Sequence, residues 1–264
     1  MFRNYKILLL IILLFFVFLL FLFTERCTSC ENFESGDGEI IVTMTTIPER
    51  IHENVLPTTL SSLKSQSVQP HKIYINIPEK TKKGETYPMD KLKDMIKNYD
   101  NVEINYVPKD LGPITKIIPI TKQINDNDNI IIVDDDVDYH KDVIKDLLNS
   151  KKEAVGFAGK YDNNSKWVSG EYYEGDVEFL ETYAGVMYKG KVLKGLDEFN
   201  DTLQDTCKNQ DDIIIGKYLK TKGVVPYVAK CQSISNHDAK DTTELKTNNL
   251  SNGNQKCYSE IWNK

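Results

Sequence analysis

A short aliphatic run that leads directly into an acidic cluster constrains this chain more than any other segment. Residues 130–133 read Ile-Ile-Ile-Val, and Asp134, Asp135, Asp136 and Asp138 follow them. The run predicts a buried strand of a parallel sheet, and the acids then lie at its carboxyl end, where open α/β sheets bind ligands. Clustered carboxylates repel one another unless a cation lies among them, and their oxygens suit Mg²⁺ or Mn²⁺. A solvated acidic loop is the alternative interpretation.

The amino-terminal segment predicts a membrane anchor. Residues 7–23 are apolar without interruption, which is the short end of the ~17–25 residues that cross a bilayer. Arg3 and Lys6 precede the run and acidic residues follow it, so the positive-inside rule places the amino terminus in the cytosol. A cleaved signal peptide is the alternative, but small residues do not follow position 23. We expect a cytosolic tail (1–6), a transmembrane signal anchor (7–23), a stem (24–39) and one lumenal domain (40–264).

The charge balance bounds the partners of that domain. The formal net charge is −6, and an acidic domain without a basic stripe argues against a nucleic-acid partner. A nucleotide held through a metal stays compatible with this charge. Three Asn-x-Ser/Thr patterns are candidate glycosylation sites of a lumenal glycoprotein, at Asn163, Asn200 and Asn249.

The five cysteines divide into two groups. Cys27 and Cys30 lie in the stem, where the absence of a second ligand pair argues against zinc. They are candidates for disulfide links in a homodimer. In an oxidising lumen we expect one disulfide within the domain, among Cys207, Cys231 and Cys257.

The first half of the domain alternates predicted strands and helices. The strands are 39–44, 72–77, 102–107 and the run at 130; the helices are 56–63, 89–98, one that opens at 110–116, and 141–148. We expect Pro48 to prevent a helix directly after the first strand. The second half predicts short strands at 154–158, 166–168, 171–177 and 224–228 and a helix at 211–220. The alternation is typical of parallel βαβ units in a single α/β domain.

Four motifs, in a fixed order, carry a family resemblance. They are Asp134-Asp135-Asp136, Tyr183-Ala184-Gly185, Gln210-Asp211-Asp212-Ile213 and His237. Together they resemble the metal-dependent GT-A glycosyltransferases, which use nucleotide-sugar donors. Residues 211–216 are similar to the Glu-Asp-Val motif of β-1,3-glycosyltransferases. The resemblance covers about residues 40–237. It implies a Rossmann-like mixed sheet flanked by helices, and transfer of a hexosyl or N-acetylhexosaminyl group from a UDP-sugar to a glycan or glycoprotein in the Golgi.

The same resemblance assigns a metal site. It implies Mn²⁺ (or Mg²⁺) bound directly by Asp136, with Asp134 contacting the ion through water or the donor ribose. Asp135 would face the donor sugar. Asp138 forms an overlapping Asp-x-Asp pair with Asp136, so the register is open by two residues. His237 is the expected late ligand, and a surface histidine is its alternative interpretation.

Catalytic and donor-binding residues follow in the same way. The resemblance makes Asp212, with Asp211 as second choice, the base of an inverting reaction, because a carboxylate can accept the proton of the attacking hydroxyl. Ordinary first-turn acids of a helix are the alternative, and retention of configuration is also left open. Donor-binding candidates are Thr45, Thr46, Arg50, Lys116, Ala184 and Gly185. Trp167, Tyr172 and Tyr173 are candidates to stack on an acceptor sugar, or are core aromatics.

Other classes compete with this hypothesis. An EF-hand is excluded because Tyr139 and Lys145 occupy the positions that require Gly and Glu. A HAD-type metal-dependent phosphohydrolase also follows an aliphatic strand with Asp-x-Asp, although its motif is expected near the start of the domain. A non-catalytic glycan-binding ectodomain would keep the fold without the metal. The anchor places the domain in the ER or Golgi lumen, or in a virion or host endomembrane if the source is viral.

Overall fold

A mixed sheet organises the domain in this computed structural model. The structure describes residues 38–161, 165–203, 207–231 and 253–262 and the backbone of 235–236. In these ranges the main sheet has eight strands, which in order across the sheet begin at Val102, Lys72, Ile40, Asn129, Val186, Ala154, Tyr227 and Gly175. The first four are mutually parallel, and the strand that begins at Val186 runs antiparallel to both of its neighbours. The predicted α/β class with a mainly parallel sheet is therefore confirmed.

The predicted anchor and several named residues lie outside the described ranges. They are residues 1–6 and 7–23, all but the last two residues of the stem (24–39), Cys27, Cys30, Asn163, Asn249 and His237. Within the part that the structure describes, no helix has both the length and the apolar character needed to cross a membrane.

The first half follows the predicted alternation of strands and helices. Its strands are β1 (Ile40–Thr45), β2 (Lys72–Pro78), β3 (Val102–Val107), β4 (Asn129–Ile132) and the short β5 (Asp138–Tyr139). Its helices are α1 (Pro48–His52), α2 (Leu56–Lys64), α3 (Met89–Ile96) and α4 (Val143–Asn149), with 3₁₀ turns at Pro113–Lys116 and Ile118–Ile120.

The second half is built from shorter elements. Its strands are β6 (Ala154–Gly156), β7 (Ala158–Tyr161), β8 (Lys166–Ser169), β9 (Gly175–Asp176), β10 (Phe179–Leu180), β11 (Val186–Lys189), β12 (Tyr227–Val228) and β13 (Ser235–Asn236). Its helices are α5 (Gly190–Leu193), α6 (Leu196–Asp201), α7 (Asp211–Thr221) and α8 (Gly253–Ile261), and a 3₁₀ turn spans Thr182–Ala184. Strands β10, β7 and β8 form a separate three-stranded sheet, and β13 pairs with β5.

Side chains on the two faces of the main sheet enter two apolar clusters. Successive residues of β1 alternate between them: Ile40 and Val42 pack with helices α1 to α4, whereas Ile41 packs with the Ile114–Ile120 turns and helices α5 to α8. This period of two is the geometry of a strand buried on both faces. The aliphatic run at 130–133 alternates in the same way, which explains its lack of polar residues.

Two predictions were wrong in segments that contain proline. Helix α1 begins at Pro48 itself, because proline at the first helical position lacks only an N–H that has no helical partner. The helix predicted from residue 110 is replaced by the two 3₁₀ turns. Pro119 cannot donate the hydrogen bond that a longer α-helix requires there.

Two predicted strands were also too long. Of residues 171–177, only Gly175–Asp176 are extended, because the backbone N–H groups of Tyr172 and Tyr173 donate to the Ser169 carbonyl in a turn. Of residues 224–228, only Tyr227–Val228 pair, since Pro226 has no N–H to offer a ladder.

Helix α7 approaches β10 closely at a glycine. A Cβ atom added at Gly216 would lie 2.3 Å from Phe179 Cβ and 3.1 Å from the Glu178 carbonyl oxygen. The segment just before α7 is also joined to α8 by the Cys207–Cys257 disulfide. The expected disulfide within the domain therefore exists, and Cys231 is a buried free thiol. The close packing and the cross-link fix the helix that begins with Asp211 and Asp212.

Gly216→Ala is expected to destabilise the domain although alanine favours helices. The added methyl cannot avoid the backbone of β10, and overpacking of this kind costs about 1–3 kcal/mol. Urea denaturation followed by circular dichroism measures the free energy of unfolding. Ser61→Ala, on the exposed face of α2, is the matched control and should not lower stability, because alanine favours the helix there without new contacts. Equal stability of both variants would contradict the close contact.

Candidate functional site

The acidic residues lie where the strand order of the sheet reverses. Strands β2 and β3 extend the sheet on one side of β1, and β4 lies on its other side. The loop after β1 leads into α1, and the loop after β4 contains Asp134, Asp135 and Asp136. Such a switch point is where open α/β sheets form a crevice for ligands. The candidate site therefore lies at the carboxyl ends of β1 and β4.

Arg50 binds two of the three acids from helix α1. Its Nη1 contacts Asp135 Oδ1, and its Nη2 lies 2.6 Å from Asp136 Oδ2. The planar guanidinium has the fork geometry that holds two carboxylate oxygens at once. The Asp135 side chain is only 3% exposed, so Arg50 supplies the charge that this buried carboxylate needs.

Burial and Arg50 act in opposite directions on these two acids. Burial raises the pKa of Asp135, whereas Arg50 and the neighbouring Thr46 oppose the rise. Burial raises the pKa of Asp136 to about 6, again against the effect of Arg50. Asp135 Oδ2 and Thr46 Oγ1 are both buried and make no regular hydrogen bond. The acidic loop thus keeps unmet hydrogen-bonding capacity in its interior.

Lys116 joins the two acidic motifs of the sequence. Its Nζ lies 2.6 Å from Asp134 Oδ1 and 2.9 Å from Asp211 Oδ2, and it donates to Thr182 Oγ1 at 2.9 Å. Two of the three ammonium hydrogens are thus donated to Asp134 and Thr182, whereas Asp211 Oδ2 is at ion-pair distance without a regular hydrogen bond. Burial lowers the pKa of Lys116, but Asp134 and Asp211 outweigh burial and the net shift is upward. Lys116 is therefore the charged centre of the cluster.

A buried asparagine holds the turn that carries Lys116. The Asn76 side-chain amide donates to the Lys116 carbonyl oxygen at 3.1 Å and to Thr43 Oγ1 at 2.9 Å. Thr45, at the end of β1, donates to the Asn76 carbonyl oxygen at 2.8 Å. Asn76 was not singled out in the sequence, although a polar residue inside an apolar strand is a signal that can be read there.

Tyr139 connects the acidic loop to the glycine-containing turn. Its buried hydroxyl accepts a hydrogen bond from Asp134 N at 2.9 Å and donates to the Tyr183 carbonyl oxygen at 3.1 Å. Gly185 has φ +85°, which favours glycine, and Ala184 is fully buried. The predicted turn therefore lies beside the predicted acidic motif, as the antiparallel pairing of β11 with β4 requires.

Asp211 and Asp212 occupy different environments at the start of α7. Asp211 is buried against Lys116, whereas Asp212 is half-buried and its Oδ1 accepts a hydrogen bond from Thr182 N at 3.1 Å. Burial raises the pKa of Asp212 well above its usual range, and Asp211 adds to the rise. Asp212 therefore combines partial exposure with a raised pKa, and both properties suit a general base.

The remaining predicted ligands lie at the edge of the described region. Asp138 is in β5, and its backbone pairs with Asn236 of β13. His237, the next residue in the sequence, lies outside the described residues. The chain thus returns to the acidic loop one residue before the predicted late ligand.

The donor set fits a metal only in part. Among the described residues, no group of three or more metal-ligating side chains is assembled. Asp134 and Asp136 provide two carboxylates, and each is paired with a cation. Magnesium-type ions are commonly held by one or two carboxylates together with substrate phosphates. The residues present therefore fit an ion that arrives with a diphosphate, and they do not form a complete protein cage.

An open groove with several lysines lies at the same edge of the sheet. It follows the ends of β2 and β3 and has a volume of ≈ 420 Å³. Its lining combines residues 79–82 with residues 108–110, including Lys80, Lys82 and Lys109. Lys82 Nζ lies 3.4 Å from Asn209 Oδ1, two residues before Asp211. The lining also contains Glu79 and Asp110, so its charge is mixed, and Lys82 connects the groove to the residue Asn209 that precedes α7.

Comparison with known proteins gives distant structural matches. The chain is 13% identical to a Francisella tularensis 2-C-methyl-D-erythritol 4-phosphate cytidylyltransferase structure, with a TM-score of 0.46, 80% of this chain covered and 97% of that chain. Staphylococcus aureus TarS 1-349 in complex with UDP is 16% identical, with a TM-score of 0.45, covering 68% of this chain and 54% of that chain. A longer TarS structure has a TM-score of 0.48 at 16% identity, covering 68% of this chain and 34% of the other.

All of these structural matches have TM-scores under 0.5. No protein-family model and no curated protein sequence matches the chain. The chain spans about half or less of the TarS structures that it matches. TM-scores under 0.5 do not assign a function, so the function is inferred from the side chains of the site.

Arg50→Gln is expected to destabilise the fold through Asp135. Removal of one partner of a buried ion pair costs about 3–5 kcal/mol, because the other charge stays buried without compensation. Asp135→Asn in the Arg50→Gln background should recover much of this loss. A double-mutant cycle by chemical denaturation measures the coupling, with Glu49→Gln on the exposed face of α1 as the control. Additive effects of the two substitutions would show that the pair carries no coupling energy.

Proposed function

We propose that this protein is a glycosyltransferase that moves a sugar from a nucleotide-sugar donor, a UDP-sugar, to a glycan or glycoprotein. The observation that carries the proposal is the meeting of two acidic motifs at one edge of the sheet. Asp134 and Asp211 are separated by 77 positions in the sequence, yet both contact Lys116. One motif is suited to hold a cation with a diphosphate, and the other is suited to accept a proton.

The donor diphosphate is assigned to the acidic loop. Asp136 and Asp134 would hold Mn²⁺ or Mg²⁺, with His237 as the proposed late ligand and Asp138 as the alternative in the second register. A divalent ion bound there would neutralise the departing diphosphate as a Lewis acid. Arg50 keeps Asp135 and Asp136 in place from α1. Thr45, Thr46, Ala184 and Gly185 are the proposed contacts of the nucleotide and sugar, of which Thr46, Ala184 and Gly185 are buried in this structure.

Asp212 is assigned the role of general base. The acceptor hydroxyl loses its proton to Asp212 as its oxygen attacks the anomeric carbon, and the bond from that carbon to the diphosphate oxygen breaks. Attack from the opposite face inverts the configuration. The hydrogen bond from Thr182 N fixes Asp212 Oδ1, which leaves Oδ2 to face the acceptor. Asp211 holds Lys116 and acts as a positioning residue.

A metal-dependent phosphohydrolase of the HAD type is the second candidate. A lysine between two aspartates is an arrangement that also suits phosphoryl transfer, because the lysine neutralises phosphate charge. The two activities separate by substrate: the hydrolase would cleave p-nitrophenyl phosphate, and the glycosyltransferase would consume nucleotide sugars. A glycan-binding domain without activity would consume neither.

The membrane topology is part of the same proposal. Residues 7–23 would anchor the protein as a single-pass type II membrane protein, with the site in the ER or Golgi lumen. The Cys207–Cys257 disulfide supports an oxidising compartment. Links between two chains through Cys27 and Cys30 would give a disulfide-bonded homodimer, which non-reducing electrophoresis detects.

Asp136→Ala is expected to abolish metal-assisted donor binding. Calorimetry of the wild-type protein should show uptake of UDP that strengthens with Mn²⁺, and the variant should lose the Mn²⁺-dependent part while it stays folded. Asp138→Ala is the matched control for the register and should keep that part. Loss in Asp138→Ala with retention in Asp136→Ala would move the metal site by two residues, and retention in both would remove it from this loop.

Asp212→Asn is expected to separate transfer from donor binding. Loss of a general base reduces turnover by about 10²–10⁴-fold, while the donor dissociation constant should stay within error because Asp212 does not contact the diphosphate in this scheme. Initial-rate kinetics and calorimetry give the two values. Asp211→Asn should differ, because it removes a partner of Lys116 and lowers the unfolding temperature. Full turnover by Asp212→Asn would exclude it as the base.

A further inference from the structure

One of the three aromatic residues that the sequence offers as acceptor contacts, Trp167, is both anchored and exposed. Trp167 belongs to β8 in the three-stranded sheet and is 49% exposed. Its Nε1 donates a hydrogen bond to Glu181 Oε2 at 2.7 Å. Exposed aromatic side chains usually rotate freely, but this bond fixes one edge of the indole. The ring therefore offers a flat apolar face in a constant orientation.

The acid that anchors the indole is itself held in place. The Glu181 side chain is 15% exposed, and its second oxygen lies 3.6 Å from Lys160 Nζ. Burial raises the pKa of Glu181, and Lys160 opposes the rise. A mostly buried acid with both oxygens engaged is a fixed support for Trp167. Lys160, on β7, adds a hydrogen-bond donor beside the indole.

Glu181 is adjacent in the chain to Thr182, which contacts the proposed base Asp212. Thr182 follows Glu181, its N–H donates to Asp212 Oδ1, and its hydroxyl accepts from Lys116. The same two-residue segment thus positions Trp167 on one side and Asp212 on the other. The carboxylate of Glu181 also raises the pKa of Asp212, so the acid that anchors the indole lies close to the proposed base.

We infer that Trp167 is the stacking platform for the acceptor, and that the acceptor is a carbohydrate whose pyranose ring lies on the indole with its hydroxyls toward Glu181 and Lys160. This inference rests on the proposed function, because it identifies the chemical class of the acceptor at the same site. A sugar ring has an apolar face of C–H groups and a rim of hydroxyls. The platform matches both, with an aromatic face beside charged hydrogen-bonding groups.

The surroundings of Trp167 favour a sugar over a lipid. Large exposed apolar side chains of the described residues are few: Ile47, Tyr106, Trp167, Tyr172 and Val225. A lipid surface requires a contiguous apolar patch, whereas Trp167 is bordered by an acid and a lysine. A peptide is the alternative acceptor, and the fluorescence experiment below distinguishes it from a sugar.

The first experiment compares acceptor and donor constants in three variants. With a donor that the wild-type protein uses and methyl glycosides of glucose, galactose, mannose and xylose as acceptors, Trp167→Ala should raise the acceptor KM about tenfold, and Trp167→Phe less. The donor dissociation constant should not change in either variant. Tyr106→Ala, an exposed aromatic on β3, is the matched control and should keep the wild-type KM. An unchanged acceptor KM in Trp167→Ala would overturn the inference.

The second experiment does not depend on turnover or on the folding of Trp167→Ala. The chain has two tryptophans. The second, Trp262, is the buried residue that follows α8, so Trp262→Phe leaves Trp167 as the fluorescent reporter. A saturable change of its fluorescence with a methyl glycoside supports the platform. No change with any glycoside, or a change only with a serine- or threonine-containing peptide, overturns it. Failure of the wild-type protein to use any nucleotide sugar would refute the proposed function. The fluorescence titration would then still decide whether Trp167 binds a sugar ring.

Discussion

Compensation of carboxylate charge at one edge of the sheet is the constraint on which the site depends. Asp134, Asp135 and Asp136 follow a fully buried strand, and Asp211 begins a helix that packs against the same region. Arg50 and Lys116 are the cations paired with them in the part of the chain that the structure describes. Each cation contacts two acids, so the loss of either leaves two carboxylates uncompensated. The cluster stays more acidic than basic, which is the condition that favours an incoming divalent ion.

The fold couples this cluster to the second half of the chain through few contacts. Tyr139 joins the acidic loop to the turn before β11, and Thr182 of that turn contacts both Lys116 and Asp212. The neighbouring Glu181 then anchors Trp167. The parallel half of the sheet therefore presents the proposed donor side, and the three-stranded sheet presents the proposed acceptor side, with residues 181–182 between them.

The sequence predicted the architecture because local patterns determine it. The first four strands, the helices at 56, 89 and 143 and the acid-led helix at Asp211 appear in the structure at nearly the predicted bounds. The ion pairs were not predictable, since Arg50 and Lys116 meet the acids only after distant segments pack. Pro48 was misjudged because proline is compatible with the first turn of a helix. The roles of Asp136, Asp138, His237 and Asp212 stay predictions, because ligand geometry decides them.

The fate of a nucleotide sugar decides between the candidate activities. The protein, with Mn²⁺, a series of UDP- and GDP-sugars and methyl glycosides as acceptors, is followed by NMR of the anomeric proton. The proposed transfer requires that one UDP-sugar is consumed only when metal is present, and that the new glycosidic bond to the acceptor has the inverted configuration. Consumption of no nucleotide sugar, together with metal-dependent hydrolysis of p-nitrophenyl phosphate, would contradict it and assign the acidic cluster to phosphoryl transfer.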